Sequence, residues 1–371
     1  MKLQYLLIGL YLLLSGCKRD DLIIAKPNTP LHDKIVFIKE LNFDSRNSSS
    51  IVAANSQFLV LNTGWWYAGV SNSHITHTFF NEFLSETCHI DDMQFNANGV
   101  TASACECNGN IFCYNIDYLT VSILPVKGCS FEQKIFHIDN PGSPNNREIN
   151  FMKITQKGNL VFQVPDSLYC MDSLGGMRWI IPTSPLNLTA LRDVCETTSG
   201  DVLLLGEKQS PSTDRDFCVT RFDKNGTIVW QKLYGGIRYE EAQQMLYKND
   251  GEIFLLGHSS SYSSNAMHDA FIVHINSDGD TLKQKTFGGV YHDGLQCGKL
   301  YMDKLVVSGY HDPDGSGKEQ VFVTLLDKDL NVLQQEDAPF TGNYRPTSCA
   351  LINNTFAVCG DQFVIRFTLP Y

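Results

Sequence analysis

Beyond its first residues the chain has no long apolar run, no extended helical periodicity and no basic excess. The missing apolar run leaves no later segment fit to be a transmembrane helix. Without a stripe of period 3.6, helices should be few. Lys and Arg total 29 against 40 Asp and Glu, a net charge of −11. That balance excludes nucleic acid as a partner, which needs a basic face, and excludes docking on anionic lipid by charge. No nucleophile elbow, P-loop, metalloprotease helix or dinucleotide fingerprint is present, so no reaction class is legible and no cofactor is called for. Cysteine is not scarce: there are 12.

The first residues set the compartment. Met1-Lys2 is followed by an apolar run from Leu6 to Leu14, broken only by Gly9. It is long enough for a signal peptide and too short to cross a bilayer. Leu14-Ser15-Gly16-Cys17 resembles the lipobox of bacterial lipoproteins. The resemblance implies cleavage before Cys17, a diacylglyceryl group on its sulfur and an acyl group on its amine. Several acyl chains anchor stably where one does not. An ordinary secretory signal with a chance cysteine is the alternative. Lys18-Arg19-Asp20-Asp21 resembles the surface-export tag of Bacteroidota-type lipoproteins, or is a solvated linker. The expected organisation is a signal peptide over 1–16, a lipidated linker over 17–30 and one domain over 31–371. The expected location is the outer membrane, facing periplasm or cell surface, with the membrane as partner through the anchor.

Internal repetition organises the rest. Residues 200–206, 251–257 and 304–309 are apolar strands ending in glycine, each followed by a second strand, a Gly, Asn or Asp turn and a third strand. The glycines at 206, 257, 309 and 360 are 51, 52 and 51 residues apart. Each unit holds four short strand signals, A to D, which is the pattern of a propeller blade. Weaker copies place strand B of earlier units at 57–61, 98–105 and 158–164. A period of about fifty residues over 31–371 gives seven blades. The last unit stops short of a strand D, and an isolated strand lies at 34–43. The expectation is an all-β, seven-bladed propeller of four-stranded antiparallel blades, with the last blade closed by that N-terminal strand.

Residues 190–340 resemble the SBBP-type propeller repeat through Asp269-Ala270-Phe271, Asp278-Gly279 and Gly288-Gly289. The match weakens in the flanking units, where Asp216-Phe217-Cys218 and Gln320-Val321-Phe322 replace the first motif. The resemblance implies a fold and an exported setting, and no reaction.

Cys195, Cys297 and Cys349 precede their glycines by 11, 12 and 11 residues, with Met245 in the same place before Gly257. They read as one repeat position in strand A, held by small buried residues too far apart for disulfides. The B–C connections at 207–216, 258–269 and 310–320 are long, whereas the A–B and C–D turns are short. In such a blade the B–C and D–A connections share one face, and elaborated loops on a rigid scaffold are where binding resides. His268-Asp269, His292-Asp293 and His311-Asp312 fall on that face. Imidazole beside carboxylate suits ligand contact, general base work or polar loop structure. Asp312-Pro313-Asp314-Gly315-Ser316-Gly317 faintly resembles a calcium loop, with an incomplete ligand series. Trp65-Trp66-Tyr67 directly follows the first strand B, as a stacking platform or as core of strand C. Two function classes follow. One is a non-catalytic binding module for a glycan, peptide or protein. The other is an enzyme with an axial site, glycan-cleaving or quinone-dependent.

Overall fold

The structure is a computed structural model. It describes residues 151–370 except 165, 210–213, 264–266, 339–343 and 361–362, together with Ile51 and the strand backbones lying within 32–137. Strand β1 (His32–Val36) comes first. Strands β2 (Ser48–Ala54), β3 (Gln57–Tyr67), β4 (Ser71–Asn81) and β5 (Glu86–Phe95) pair in that order. Next come β6 (Thr101–Cys107), β7 (Asn110–Asp117) and β8 (Thr120–Lys127), with β9 (Ser130–Phe131) and β10 (Lys134–His137) both pairing with β8. The segment 98–105, expected to be a strand B, thus overlaps the first strand of its sheet.

Five four-stranded antiparallel sheets make up the more fully described part. The first is β11 (Phe151–Ile154), β12 (Leu160–Val164), β13 (Ser167–Met171) and β14 (Met177–Pro182). The second is β15 (Ala190–Glu196), β16 (Val202–Gln209), β17 (Arg215–Phe222) and β18 (Ile228–Tyr234). The third is β19 (Glu240–Tyr247), β20 (Ile253–Ser259), β21 (Asp269–Ile275) and β22 (Thr281–Phe287). The fourth is β23 (Asp293–Tyr301), β24 (Lys304–His311), β25 (Gln320–Leu326) and β26 (Val332–Asp337). The last is β27 (Pro346–Ile352), β28 (Thr355–Gly360) and β29 (Phe363–Thr368), completed by β1.

The completing strand differs in extent from the sequence expectation. It covers His32–Val36 and sets Lys34, Ile35 and Val36 opposite Arg366, Ile365 and Val364. Residues 37–43 lie outside the described residues. At the other edge of this sheet, Ser348 Oγ donates to the carbonyl of Ile51 at 3.3 Å, tying β27 to β2.

The middle strands of each sheet are sandwiched between neighbouring sheets, so their sequences are apolar runs. Every residue of β20 and β21 is buried, whereas β22 is half-buried to exposed. Phe217 and Phe271, 5.4 Å apart, join the second sheet to the third, and each Phe so buried contributes about 1.5–3 kcal/mol.

The repeated glycines have a steric cause. Strand A of each of the last four sheets carries a β-bulge, between Leu191 and Asp193, Ala242 and Gln244, Leu295 and Cys297, and Pro346 and Ser348. The carbonyls of Ala190, Glu241, Gly294 and Arg345 then point at Gly206, Gly257, Gly309 and Gly360, where a Cβ would lie under 3.0 Å from them. The short C–D turns repeat as well. Asp172, Asp223, Asn276 and Asp327 each accept two backbone N–H bonds from their own turn. Gly279, at φ 78°, lies under Trp230, and Tyr234 donates to its carbonyl at 2.8 Å. Trp179 covers Gly226 in the same way. The first and second sheets thus rest their fourth strands on the next sheet's turn.

The cysteine reading needs correction. Cys195, Met245, Cys297 and Cys349 all lie buried in strand A, but pair opposite Leu203, Leu255, Ser308 and Val358, which stand at different distances from the repeat glycine. Differences in hairpin length disguise this in the sequence. Nor are such thiols all remote, because Cys297 and Cys349 lie within hydrogen-bonding reach across the boundary of the last two sheets. The six described cysteines are free thiols, and burial pushes Cys170 up to about 12 and Cys218 up to about 11. They pack as small hydrophobes.

Candidate functional site

On the face where the B–C and D–A connections emerge lies a cavity of about 480 Å³. Three sheets line it. The third supplies Glu241 and His258 from its strands, His268 from its B–C loop and Tyr239 from the connection leading in. The fourth supplies Gln296, Tyr310, Glu319 and, from its entry connection, His292. Arg345, just before β27, completes the wall. A larger hollow of about 1010 Å³ lies between the first and second sheets. It is walled mainly by the single connecting segment 182–192, and its one arginine, Arg192, turns to Glu207 at 2.7 Å. The smaller cavity is the better site, because titratable and aromatic groups from separate elements converge there.

Its imidazoles form a chain. The rings of His258 and His268 are 4.7 Å apart, and those of His268 and His292 5.2 Å. Ser260 Oγ lies 2.8 Å from His268 Nδ1. Nε2 of His258 is 3.7 Å from the Glu241 carboxylate, while its Nδ1 is buried without a hydrogen-bond partner. Burial holds the His258 pKa down at about 4. Burial, and then the neighbouring His292, also lower that of His268. Both rings are neutral at physiological pH.

The charges around them are paired. Tyr239 donates to Glu241 at 2.5 Å, Gln243 donates to it at 2.9 Å, and Arg192 lies 3.2 Å away. Burial opposes ionisation of Glu241, but the Tyr239 hydrogen bond, His258 and Arg192 outweigh it and hold the carboxyl below its usual range. Arg192 and Arg215 both bind Glu207. Arg345 grips Glu319 through two nitrogens. Arg215 lies over the Tyr239 ring at 4.5 Å and Arg345 over the Tyr310 ring at 4.1 Å. Each of these rings therefore carries a cation on one face.

Of the residues singled out in the sequence, His268 and His292 meet in this cavity. His311 does not line it. Tyr310 faces the cavity, and one step along β24 reverses the side-chain direction. His311 packs on Phe322 at 5.8 Å and lies 3.3 Å from Asp337. The aspartates that follow the histidines are buried in structural work. Asp293 accepts from Gly289 N at 2.7 Å, and Asp312 accepts from Gly315 N and Gly317 N at 2.8 and 3.0 Å. The calcium-like loop thus spends its first carboxylate on its own backbone, and among the described residues no three His, Cys, Asp or Glu are grouped to hold a metal ion. Trp65, Trp66 and Tyr67 belong to strand B itself, since β3 runs through them and pairs them with Ser73, Asn72 and Ser71. Cys17 lies outside the described residues.

His258, Glu241, Gln296, Tyr310, Glu319 and Arg345 escape a motif search because no local pattern joins them. One signal existed. Arg192, Gln243, Gln296 and Thr347 are the extra residues of the strand A bulges, 13 or 14 positions before each repeat glycine. Bulges re-aim side chains, and here three successive ones set Arg192 and Gln243 against Glu241 and place Gln296 in the cavity wall.

A pH experiment follows. Burial raises Asp293 to about 6, against an unfolded value of about 3.9. The folded state therefore holds a proton that the unfolded state has lost, and stability falls as pH rises through 6. Asp293→Asn keeps an acceptor for Gly289 N and removes that loss. It is expected to stabilise the protein by roughly 1–2 kcal/mol at pH 7.5. His258 acts oppositely, since its folded pKa is depressed and stability is lost as pH falls from 6.5 toward 4. In Asp293→Asn, melting temperature should therefore drop more steeply on acidification than in wild type. A variant no more stable than wild type at pH 7.5 would refute the assignment.

No protein-family model matches the chain, and no curated protein matches it. Solved structures resemble it. The Pan2 WD40 domain of Neurospora crassa is similar at 10% identity over 86% of this chain and 89% of that one, with a TM-score of 0.52. Sqt1 from Chaetomium thermophilum is similar at 11% identity over 92% and 100%, with a TM-score of 0.51. The β-propeller domain of the Trilobed protease from Pyrococcus furiosus is similar at 9% identity over 86% and 92%, with a TM-score of 0.50. At such identities the likeness speaks for fold alone: the chain is a β-propeller built of four-stranded antiparallel blades.

Proposed function

We propose that this protein is a lipid-anchored propeller of seven blades that binds its ligand, without transforming it, in the histidine-lined cavity of the B–C and D–A face. The seven-blade count is supported by the period of 51 to 52 residues, by the pairing among β2–β5 and among β6–β10, and by β2 lying against β27. The anchor rests on the lipobox-like Leu14–Cys17 segment, and with it the outer-membrane location.

The observation that carries the binding role is the state of the cavity's carboxylates. A glycan-cleaving site needs one carboxylic acid held protonated near neutral pH beside a second, free carboxylate. Glu241 is instead held ionised by the Tyr239 hydrogen bond and Arg192, and Glu319 is clasped by Arg345. Neither is available as an acid or nucleophile. What remains is a recess of polar, aromatic and neutral groups, which suits recognition.

The test is a glycan and peptide array probed with the soluble domain. His268→Ala or Gln296→Ala should abolish capture of any hit, and Asp278→Ala in a short turn of the opposite face should leave it intact. A hit indifferent to both cavity substitutions would overturn the site. For the anchor, Cys17→Ala should release the protein from membranes and remove the lipid mass. Equal membrane retention of mutant and wild type would overturn that part.

A further inference from the structure

We infer that Cys297 and Cys349 are the site of a disulfide that ties the last two sheets together, formed as the chain folds by exchange with an external disulfide. The inference stands apart from the cavity and from the anchor.

A repeated clasp places the two thiols. The residue just after each strand A bulge is Asp193, Gln244, Cys297 or Ser348. Three of these reach across to the next sheet. Asp193 Oδ2 accepts from Met245 N at 2.9 Å. Gln244 Oε1 accepts from Gly298 N at 2.6 Å. Ser348 Oγ donates to the Ile51 carbonyl at 3.3 Å. Met245 follows Gln244 and Gly298 follows Cys297, so each of those two contacts falls one residue past the neighbouring bulge position. By the same register Cys297 reaches Cys349, which follows Ser348. The two thiols are within hydrogen-bonding reach of each other. Both lie, with Val358, in the apolar core shared by the fourth and last sheets. Cys359 is a poorer partner. It pairs opposite Ser348, whereas Cys349 pairs opposite Val358, and successive strand positions point to opposite faces.

The exchange balances. One cysteine thiolate attacks the external disulfide and expels a thiol, and the second thiolate then displaces the other half. The two cysteines lose two electrons and two protons, and the external disulfide becomes two thiols. The reaction belongs to the open chain. In the folded protein Cys297 is 3% and Cys349 2% exposed, and burial pushes the Cys297 thiol well above its usual range. The same burial shields the bond once it is made. By closing the loop from 297 to 349, the bond constrains the unfolded chain and so favours the folded one.

The full chain, unfolded and refolded with reduced and oxidised glutathione, then alkylated and digested, tests this. A peptide pair joining Cys297 to Cys349, lighter by two hydrogens than the reduced pair, should dominate the map. Protein refolded in dithiothreitol should lack it and melt roughly 5 °C lower. Cys349→Ser should lose the linked pair and melt alike from both refolding buffers. Should that variant fail to fold, Cys297→Ala carries the same comparison. Alkylated Cys297 and Cys349 in the glutathione-refolded wild type would overturn the inference, as would a link from either to Cys359. So would a dithiothreitol effect on melting that persists in the variant.

Discussion

Gly309→Ala is expected to destabilise the protein by about 3 kcal/mol or more and lower its melting temperature by roughly 5–10 °C. The added Cβ would meet the carbonyl oxygen of Gly294 and the ring of Phe322. The oxygen cannot rotate away, because its strand is fixed by the bulge between Leu295 and Cys297. Two paired strands must separate, and the fully buried Val307 and Val323 beside them lose their packing. The contrast is Gly317→Asn. Nothing lies within 4 Å of a Cβ there, and its φ of 74° is one that Asn tolerates. That variant should melt within a degree or two of wild type. Calorimetric melting of both checks the claim, and a Gly309→Ala protein as stable as Gly317→Asn would show that the repeat glycine has another cause. The cavity should suffer too, since Tyr310 and Gln296 flank the disturbed pair.

Removing β1 should have an effect of similar size by a different route. A chain beginning at residue 37 leaves β29 as an open edge, exposing Val364 and Ile365, which are otherwise fully buried, and the backbone groups that face Lys34 to Val36. Open apolar edges template association. The loss is several kcal/mol from a total of about 5–15 kcal/mol. Size-exclusion chromatography should show oligomers or aggregate, and melting should begin far lower than in a chain beginning at residue 31. A monomeric chain from 37 with unchanged melting would refute the closing role of β1.

What the sequence revealed, and what it hid, follows from how each feature is encoded. The blade pattern was legible because hairpin turns are local: Asp223 or Asn276 ties its own turn, and the Gly three residues on, Gly226 or Gly279, completes it. The glycine spacing was legible as a period, but its cause was not, since the carbonyl that forbids a Cβ comes from a bulge invisible in residue types. His268 and His292 could be singled out because both stand in connections on one face. His311 was grouped with them by its His-Asp dipeptide, yet it sits inside a strand, where a single step turns its ring away. His258 hid in the opposite manner: it follows a repeat glycine directly, where the other units carry Glu207, Tyr310 and Asp361, so no shared residue type marks the position. Glu319 and Arg345 hid because a pair 26 residues apart has no local signature.

The clasp of β1 on β29 also has a kinetic meaning. Ile35 and Ile365 are partners separated by 330 positions, so the first strand made must wait for the last. Every other described sheet can form from neighbours in the chain as soon as they are present. The terminal sheet alone demands that the two ends of the domain find each other, at the entropic cost of closing one very long loop. Folding should therefore proceed as rapid growth of local sheets followed by a slow ring closure, with β29 unprotected in between. Amide exchange in β29 and β1 should lag behind that in β20 and β21 during refolding.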